Sequence, residues 1–437
     1  MAEEPALDRG RGGPGARPAL ERAPLVGIVF RAFRVHREEG WAGVELRLRR
    51  IERRWTRRLR GRRRALALLE EVARAPRTAV VIASTVDWRI RLFQRPQQIA
   101  RAFARLGRPC LYVTPNLIDE VEGAETVEEN CFLLDRLDLC LDRLDRLILV
   151  VLSPTRAGLC LPKIRAARGK MVLVYDYLDA VHPLLSEVPS RVRAAHEEMI
   201  RSADVVSATA RDLLEEASAL RAGPCILCPN AADVEHFRLE RKPPPPEEMK
   251  PIVADSRPII GYFGALARWF DYGLIREIAA RRPEWRIVLL GWDYDGSLGA
   301  SGILRLAGLH YLGVAPYEAL PAYAAHFDVA ILPFTLNEVT ESTSPIKLFE
   351  YMAARKPIVA TDLPECRRHR SVLIGRDPSE FIEKIEEALR LRSSAEYLRT
   401  LDLEADENTW MRRAKEILEA AEAAAPGTGC RSARSSR

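Results

Sequence analysis

Lys347 and Glu350, three residues apart, carry the clearest chemistry in this chain of 437 residues. They lie in Thr343-Ser344-Pro345-Ile346-Lys347-Leu348-Phe349-Glu350-Tyr351-Met352-Ala353-Ala354-Arg355-Lys356-Pro357-Ile358-Val359-Ala360. That run reads as a helix leading into a strand. Ser344 suits the N-cap and Pro345 the first helical position, where a missing N–H costs nothing. Phe349, Met352 and Ala353 recur at helical spacing. Arg355 and Lys356 close the last turn, where cations suit the helix dipole. Lys347 breaks that logic, because a cation in the first turn is disfavoured unless an anion sits on the free N–H groups beside it. Glu350 points the same way, about 5–6 Å off at Cβ. A phosphate at Lys347 and a pair of sugar hydroxyls at Glu350 match the span of a nucleoside diphosphate. The plain alternative is a Lys and a Glu that pair in solvent.

The elements that must position this helix alternate regularly. Thr78–Ser84 reads as a buried strand. The loop Thr85-Val86-Asp87-Trp88-Arg89 follows, then a helix from Phe93-Gln94-Arg95-Pro96-Gln97-Gln98 to Leu106, Gly107 and the strand Cys110–Thr114. Strand, helix and strand in that order make a parallel unit whose sites lie at the carboxyl ends of strands. Asp87, Trp88, Arg95 and Gln97 are thereby placed at a crevice. Asp176 and Asp179 follow the strand Met171–Tyr175. Each carboxylate could bind hydroxyls or simply hold the loop backbone. His182 stands in the same loop as a candidate base. Further strands are predicted near 146–152, 204–208 and 225–228. Lys242-Pro243-Pro244-Pro245-Pro246 reads as a semi-rigid linker. The alternation then resumes with Ile259–Gly264, a helix over 271–281, Arg286–Leu290, Val329–Pro333 and a helix over 378–392. A last helix over 404–424 contains Trp410. Asp293 and Asp295 form an Asp-x-Asp in the loop Gly291–Gly296, read as a polar turn rather than a metal site.

The run from Ser344 to Asp362 resembles the donor-binding signature of retaining glycosyltransferases of the GT-B fold, family 4 type. The Asp87-Trp88 to Gln97 segment is similar to the same loop in their cell-wall and capsular polysaccharide subgroup. The resemblance covers about 78–420. It implies an α/β architecture of two Rossmann-like domains facing a cleft, and transfer of a hexose from a nucleotide-sugar to a glycan or lipid-linked acceptor. It implies no metal and no prosthetic group. Lys347, Glu350 and Arg268 would act on the leaving diphosphate and ribose. Gly264, Gly313, Val314, Glu341, Ser342, Thr343, Ser344, Pro345 and Ile346 would line the donor. Asp87, Trp88, Arg95, Gln97, Asp176, Asp179 and His182 would face the acceptor. The family's Glu-x7-Glu pattern is incomplete, with Ser342 in the first place and Glu341 one position early. Ala231 replaces the usual glycine in Pro229-Asn230-Ala231-Ala232-Asp233. The competing reading is a non-catalytic nucleotide-sugar-binding or scaffold protein of the same fold.

Composition sets the remaining bounds. A hydrophobic fraction of 47% is ordinary for a globular chain. No apolar run approaches the roughly 18 residues of a membrane span, and the first thirty residues lack a signal-peptide core, so a cytoplasmic protein is expected. The eight cysteines are scattered as reduced thiols would be. The net charge of +6 is local, since residues 1–78 hold 20 Arg against 10 acids. Between Arg47 and Arg64 there are 11 Arg and one acid, interleaved with Leu48, Ile51, Trp55 and Leu59 on one helical face. Such a helix could lie on an anionic membrane or pack its stripe on the main body. Nucleic acid is not expected, because no recognition motif accompanies the charge. The predicted divisions are 1–75, a disordered then basic helical extension; 76–238, the first domain; 239–257, a linker; 258–395, the donor domain; 396–424, a helix packing back on the first domain; and 425–437, a disordered tail.

Overall fold

Eight strands build the first sheet: β1 (Ala79–Ala83), β2 (Cys110–Val113), β3 (Ala124–Glu128), β4 (Cys131–Leu134), β5 (Leu147–Val151), β6 (Met171–Tyr177), β7 (Val205–Ala208) and β8 (Cys225–Leu227). The structure is a computed structural model, and it describes residues 60–181 and 190–425. Most of the arginine-rich segment 47–64, the predicted disordered ends and His182 lie outside those residues. Residues from Gly61 onward form one compact unit. The first sheet has the order β3-β4-β2-β1-β5-β6-β7-β8. It is parallel except for the antiparallel β3–β4 pair. β1, β5 and β6 are buried along their whole length, which explains their continuous runs of Val, Ile and Leu. A helix over 61–74 buries Ala65, Leu69 and Val72 against one face of this sheet.

The second sheet contains β9 (Ile259–Phe263), β10 (Arg286–Leu290), β11 (Leu309–Tyr311), β12 (Val329–Leu332), β13 (Ile358–Ala360) and β14 (Val372–Ile374). Its order is β11-β10-β9-β12-β13-β14, and every pair is parallel. The order reverses between β10 and β12, both of which flank β9. That switch point opens a crevice at the carboxyl ends, and the helix Ile346–Ala353 starts beside it. Residues of the predicted linker 239–257 contribute to the core of the second lobe. Met249 and Ile252 are already buried in its core, and a short helix spans Lys250–Ala254.

The predicted final helix is two helices, Ala395–Glu407 and Trp410–Ala423, with Thr409 capping the second through Arg412 N. Trp410, Ala414, Ile417 and Leu418 pack with Ile99 and Phe103 of the helix Arg95–Arg105. The helix Trp410–Ala423 is thus held on the first lobe, and the Arg108–Glu422 ion pair lies along the same contact.

Arg95 and Asp176 meet at the centre of the first lobe, 81 residues apart in sequence. Arg95 Nε donates to Asp176 Oδ2 at 2.8 Å and Nη2 to Oδ1 at 2.9 Å. Both side chains are almost fully buried, and Ser207 Oγ also donates to the carboxylate. Burial opposes the Arg95 charge, yet Asp176 more than offsets it and holds the guanidinium above its ordinary pKa. These two residues, expected on the acceptor side, direct their polar atoms to each other, to Pro229 O and to Ser207. Removing one partner strands a buried charge, so Asp176→Ala or Arg95→Ala should each cost about 3–5 kcal/mol. The double variant Arg95→Met/Asp176→Leu should cost clearly less than the two singles added. Urea unfolding followed by tryptophan fluorescence reads this; additive single effects would contradict the coupling.

Candidate functional site

Backbone approach at three glycines shapes the crevice. Gly264, Gly291 and Gly313 end β9, β10 and β11 and all have positive φ, at 148°, 146° and 71°. Gly291 N donates to Gly313 O at 2.7 Å and Gly264 N to Leu290 O at 2.9 Å. A Cβ at Gly291 would stand 1.7 Å from Gly264 O, so no side chain fits there. A Cβ at Gly264 would meet Lys347 Cε at 2.8 Å, which shows how closely the lysine lies over this backbone.

The helix Ile346–Ala353 is held from beneath. Leu348, Phe349, Tyr351, Met352 and Ala353 are all buried, more than the predicted stripe, as suits a helix buried on nearly every side. Tyr351 Oη accepts from Phe263 N at 2.9 Å, fixing the helix to the end of β9. Pro345, not Ser344, occupies the N-cap, and no side chain caps the helix. The Ser344 hydroxyl is turned to the first lobe, where it accepts from Asn230 N at 3.1 Å; Asn230 Nδ2 donates to Ser344 O at 2.6 Å. Ile346 packs with the core of the first lobe. At the other end Arg355 takes a left-handed φ of 53° and pairs with Asp402. Lys356 Nζ donates to the carbonyls of Ala325 and Phe327. Neither cation sits in the last turn as the sequence predicts; both lie just past it.

Lys347 and Glu350 line one cavity with Phe263, Gly264, Leu290, Gly291, Val314, Ala315, Tyr317 and Leu320 of the second lobe and Arg91, Leu92 and Phe93 of the first. With its open mouth the empty space is about 410 Å3. Phe93 rests on Tyr317 at 5.2 Å between ring centroids, and Gln98 Nε2 donates to Tyr317 Oη at 2.7 Å. The two lobes are drawn together over the helix start. Glu350 is 2% exposed, and its Oε2 has no hydrogen-bond partner. Burial pushes its carboxyl up to about 7, with Lys347 opposing the shift. A buried, unpaired oxygen next to a helix N-terminus and a lysine is a built polar site: it can accept from hydroxyls while the cation and N–H groups hold an anion.

The remaining predicted positions divide clearly. Of the donor set, Gly264, Val314, Lys347 and Glu350 line this cavity; Gly313 only ends the adjoining strand. Arg268 does not join them. It is largely exposed and paired with Asp295, whose carboxylate also accepts from Arg268 N and Ser297 N. Asp293 accepts from Leu298 N and Gly299 N, so the Asp-x-Asp holds the start of the next helix. Ser342 Oγ donates to Glu338 O and Val339 O, closing the short helix Glu338–Glu341. Thr343 Oγ1 also donates to Val339 O. Glu341 and Thr343 line a separate depression with Arg211, Asp212, Glu365 and Arg368.

On the acceptor side, the Asp87 carboxylate accepts from Thr114 Oγ1 and from the N–H groups of Leu117, Ile118 and Asp119. Burial raises its pKa, but these donors outweigh burial and hold it below the ordinary value. Gln97 Nε2 donates to Asp87 O, and its Oε1 accepts from Gln94 N. Trp88 packs edge-on against Phe93 and Tyr112. Asp87, Gln97, Arg95 and Asp176 thus have partners within the loop and the lobe. Asp179 alone of the described acceptor-side carboxylates is exposed, just past β6. Arg91, Phe93 and Tyr317 were not singled out from the sequence.

Residues 257–390 match the family model described as glycosyl transferases group 1. This segment is a group 1 glycosyltransferase domain. It holds the second sheet, the three glycines, Lys347 and Glu350. The chain is 27% identical over 216 residues to a Bacillus subtilis protein named for teichuronic acid biosynthesis, the glycosyltransferase TuaH. That match takes in 47% of this chain and 54% of the relative, so the chain spans about half the length of the curated relative it matches. Among solved structures, sucrose-phosphate synthase of Thermosynechococcus elongatus superposes with a TM-score of 0.60 at 15% identity, over 79% of this chain and 99% of that one. HepE of Anabaena, solved in complex with UDP-glucose, gives 0.60 at 14% identity, over 79% and 100%. These likenesses establish the two-lobed GT-B fold around the group 1 domain.

The state of Glu350 has a measurable consequence. Its ordinary pKa is 4.5 and its folded value about 7. Between those values the folded chain keeps a proton that the unfolded chain releases, so stability falls as pH rises from about 4.5 to 7 and levels off above. Glu350→Gln should remove that slope. Its stability should equal wild type near pH 4.5 and exceed it by up to about 3 kcal/mol above pH 7. Thermal and urea unfolding across this range test it, and a pH-independent difference between the two proteins would refute it.

Proposed function

We propose that this chain is a glycosyltransferase that moves a hexose from a nucleoside diphosphate sugar to a glycan or lipid-linked acceptor, with retention of anomeric configuration. The observation that carries the reading is the pairing of Lys347 with the unpartnered, buried carboxylate of Glu350 at the start of one helix, inside a group 1 domain. The name of the TuaH relative and the UDP-glucose bound to HepE support the polymer and donor classes.

In this reading the ribose hydroxyls donate to Glu350, which satisfies its orphan oxygen. The diphosphate lies against Lys347 and the helix N-terminus, where charge grows as the bond from the sugar's anomeric carbon to phosphate oxygen breaks. The acceptor oxygen bonds to that carbon on the same face, and its proton passes to the departing phosphate. No strong protein base is needed. The protein's contribution is positioning and electrostatics in a narrow cleft. Arg268 has no part in this scheme because Asp295 engages it. A lipid-linked acceptor would bring the chain to the cytoplasmic membrane face, and the arginine run at 47–64 is the segment suited to meet it.

UDP-, GDP- and ADP-sugars should be assayed for hydrolysis and for thermal stabilisation, beside Lys347→Ala and Glu350→Ala. One nucleotide class should stabilise the wild type and turn over slowly. Lys347→Ala should lower turnover about a hundredfold or more. Glu350→Ala should weaken binding, and more strongly at pH 8 than at pH 6, since its ionised form accepts best. Binding with no transfer to any lipid or glycan acceptor would point to a binding protein. The absence of any nucleotide response would end the transferase reading.

A further inference from the structure

The cavity holds a second cation that the donor helix does not supply. Arg91 lies in the loop after β1 and faces the same space as Lys347 and Glu350. The loop around it is firmly held on both sides. Trp88 N and Arg89 N donate to the two oxygens of Asp119, at 2.7 and 2.8 Å. Arg89 pairs with Glu125. Past Arg91, Phe93 packs between Trp88 and Tyr317, and Gln94 caps the helix that begins at Arg95. Arg91 itself has no hydrogen bond or ion pair among the described residues, and neither does Lys347 apart from its attraction to Glu350. Nearby arginines behave differently: Arg89, Arg95, Arg101 and Arg268 each have a carboxylate partner. An exposed arginine is often merely solvated, but this one shares a confined cavity with a lysine, and two unpaired cations around one narrow space favour an anion between them.

We infer that Arg91 is the second cationic contact of the diphosphate, delivered from the first lobe. The inference rests on the proposed donor site and assigns it a further binding residue. Arg268 is tied to Asp295, so the group 1 domain offers Lys347 alone at this place. A planar guanidinium can grip two phosphate oxygens at once, which suits a diphosphate more than a monophosphate. Because Arg91 and Lys347 belong to different lobes, the diphosphate also draws the lobes together, and Phe93 on Tyr317 marks the closed position.

The test is calorimetric titration of UDP, GDP and ADP, and of UMP, GMP and AMP, into the full chain and its Arg91→Ala, Arg91→Lys and Lys347→Ala variants. Arg91 is exposed in its loop, and the melting temperature of each variant checks that the fold is intact. For the base that binds, Arg91→Ala should weaken the diphosphate about tenfold or more and the monophosphate much less. Arg91→Lys should recover part of the loss, keeping the charge without the fork. Equal weakening of mono- and diphosphate would mean that Arg91 only shapes the loop, and the inference fails. Wild-type diphosphate affinity in Arg91→Ala, with affinity lost in Lys347→Ala, also defeats it while leaving the donor site intact. If none of the six nucleotides binds wild type, the donor site itself falls and takes this inference with it.

Discussion

The carbonyl of Pro229 ties the last described helix to the core of the first lobe. Arg95 Nη1 and Arg413 Nε both donate to it at 3.0 Å. Arg95 is locked by Asp176 in the first sheet, and Arg413 comes from the last helix. The next residue, Asn230, holds Ser344, two positions before the helix that carries Lys347 and Glu350. One short run therefore links the core of the first lobe to the start of the donor helix. Buried guanidinium groups are costly unless their hydrogen bonds are met. Burial lowers the Arg413 pKa, with the nearby Glu416 opposing the shift, and its guanidinium donates to Pro229 O, Asn408 and Glu416. The relative placement of helix and first lobe follows from satisfying these groups.

Sequence patterns captured what depends on near neighbours. The strands are continuous apolar runs, and β9, β10 and β11 are each followed within two residues by a glycine with positive φ. The spacing of Lys347 and Glu350 needed only helical periodicity to place both on one cavity. What escaped were choices made by distant partners. Ser344 is a strong cap former, but Asn230, 114 residues away, takes its hydroxyl. Asp87 and Asp176 sit at carboxyl ends, as a ligand contact would. Their orientation was decided by three N–H groups of the next loop in one case and by Arg95 in the other. Arg268 was drawn to Asp295 across 27 residues. A charged side chain at a strand end has several possible satisfactions, and local sequence does not rank them.

Tyr317 of the second lobe touches the first lobe through both its ring and its hydroxyl. Its ring stacks on His236 at 4.5 Å and meets Phe93 at 5.2 Å, while its hydroxyl accepts from Gln98. His236 Nε2 in turn lies 3.0 Å from Tyr317 O. These contacts cross between segments of both lobes and are few. Aromatic contacts of this kind contribute on the order of 1 kcal/mol each, small enough to break and reform during a binding cycle.

Three departures from ordinary rules meet in the cleft at the start of the helix Ile346–Ala353. The carboxylates of Asp87, Asp176, Asp293 and Asp295 are all met by donors from the protein itself. Glu350 is as buried as any of them and has an oxygen with none. Keeping it costs stability at neutral pH, a cost that a glutamine or leucine would avoid. Lys347 stands where a helix disfavours a cation, and it lies over a glycine whose φ of 148° few other residues adopt. Strain, an unmet acceptor and an unfavourable charge in a single cleft have a common relief: a ligand with hydroxyls to donate and negative charge to place. Asp135 also keeps a buried oxygen without a donor, but only at Glu350 does such an oxygen share a cleft with a lysine and the start of a helix.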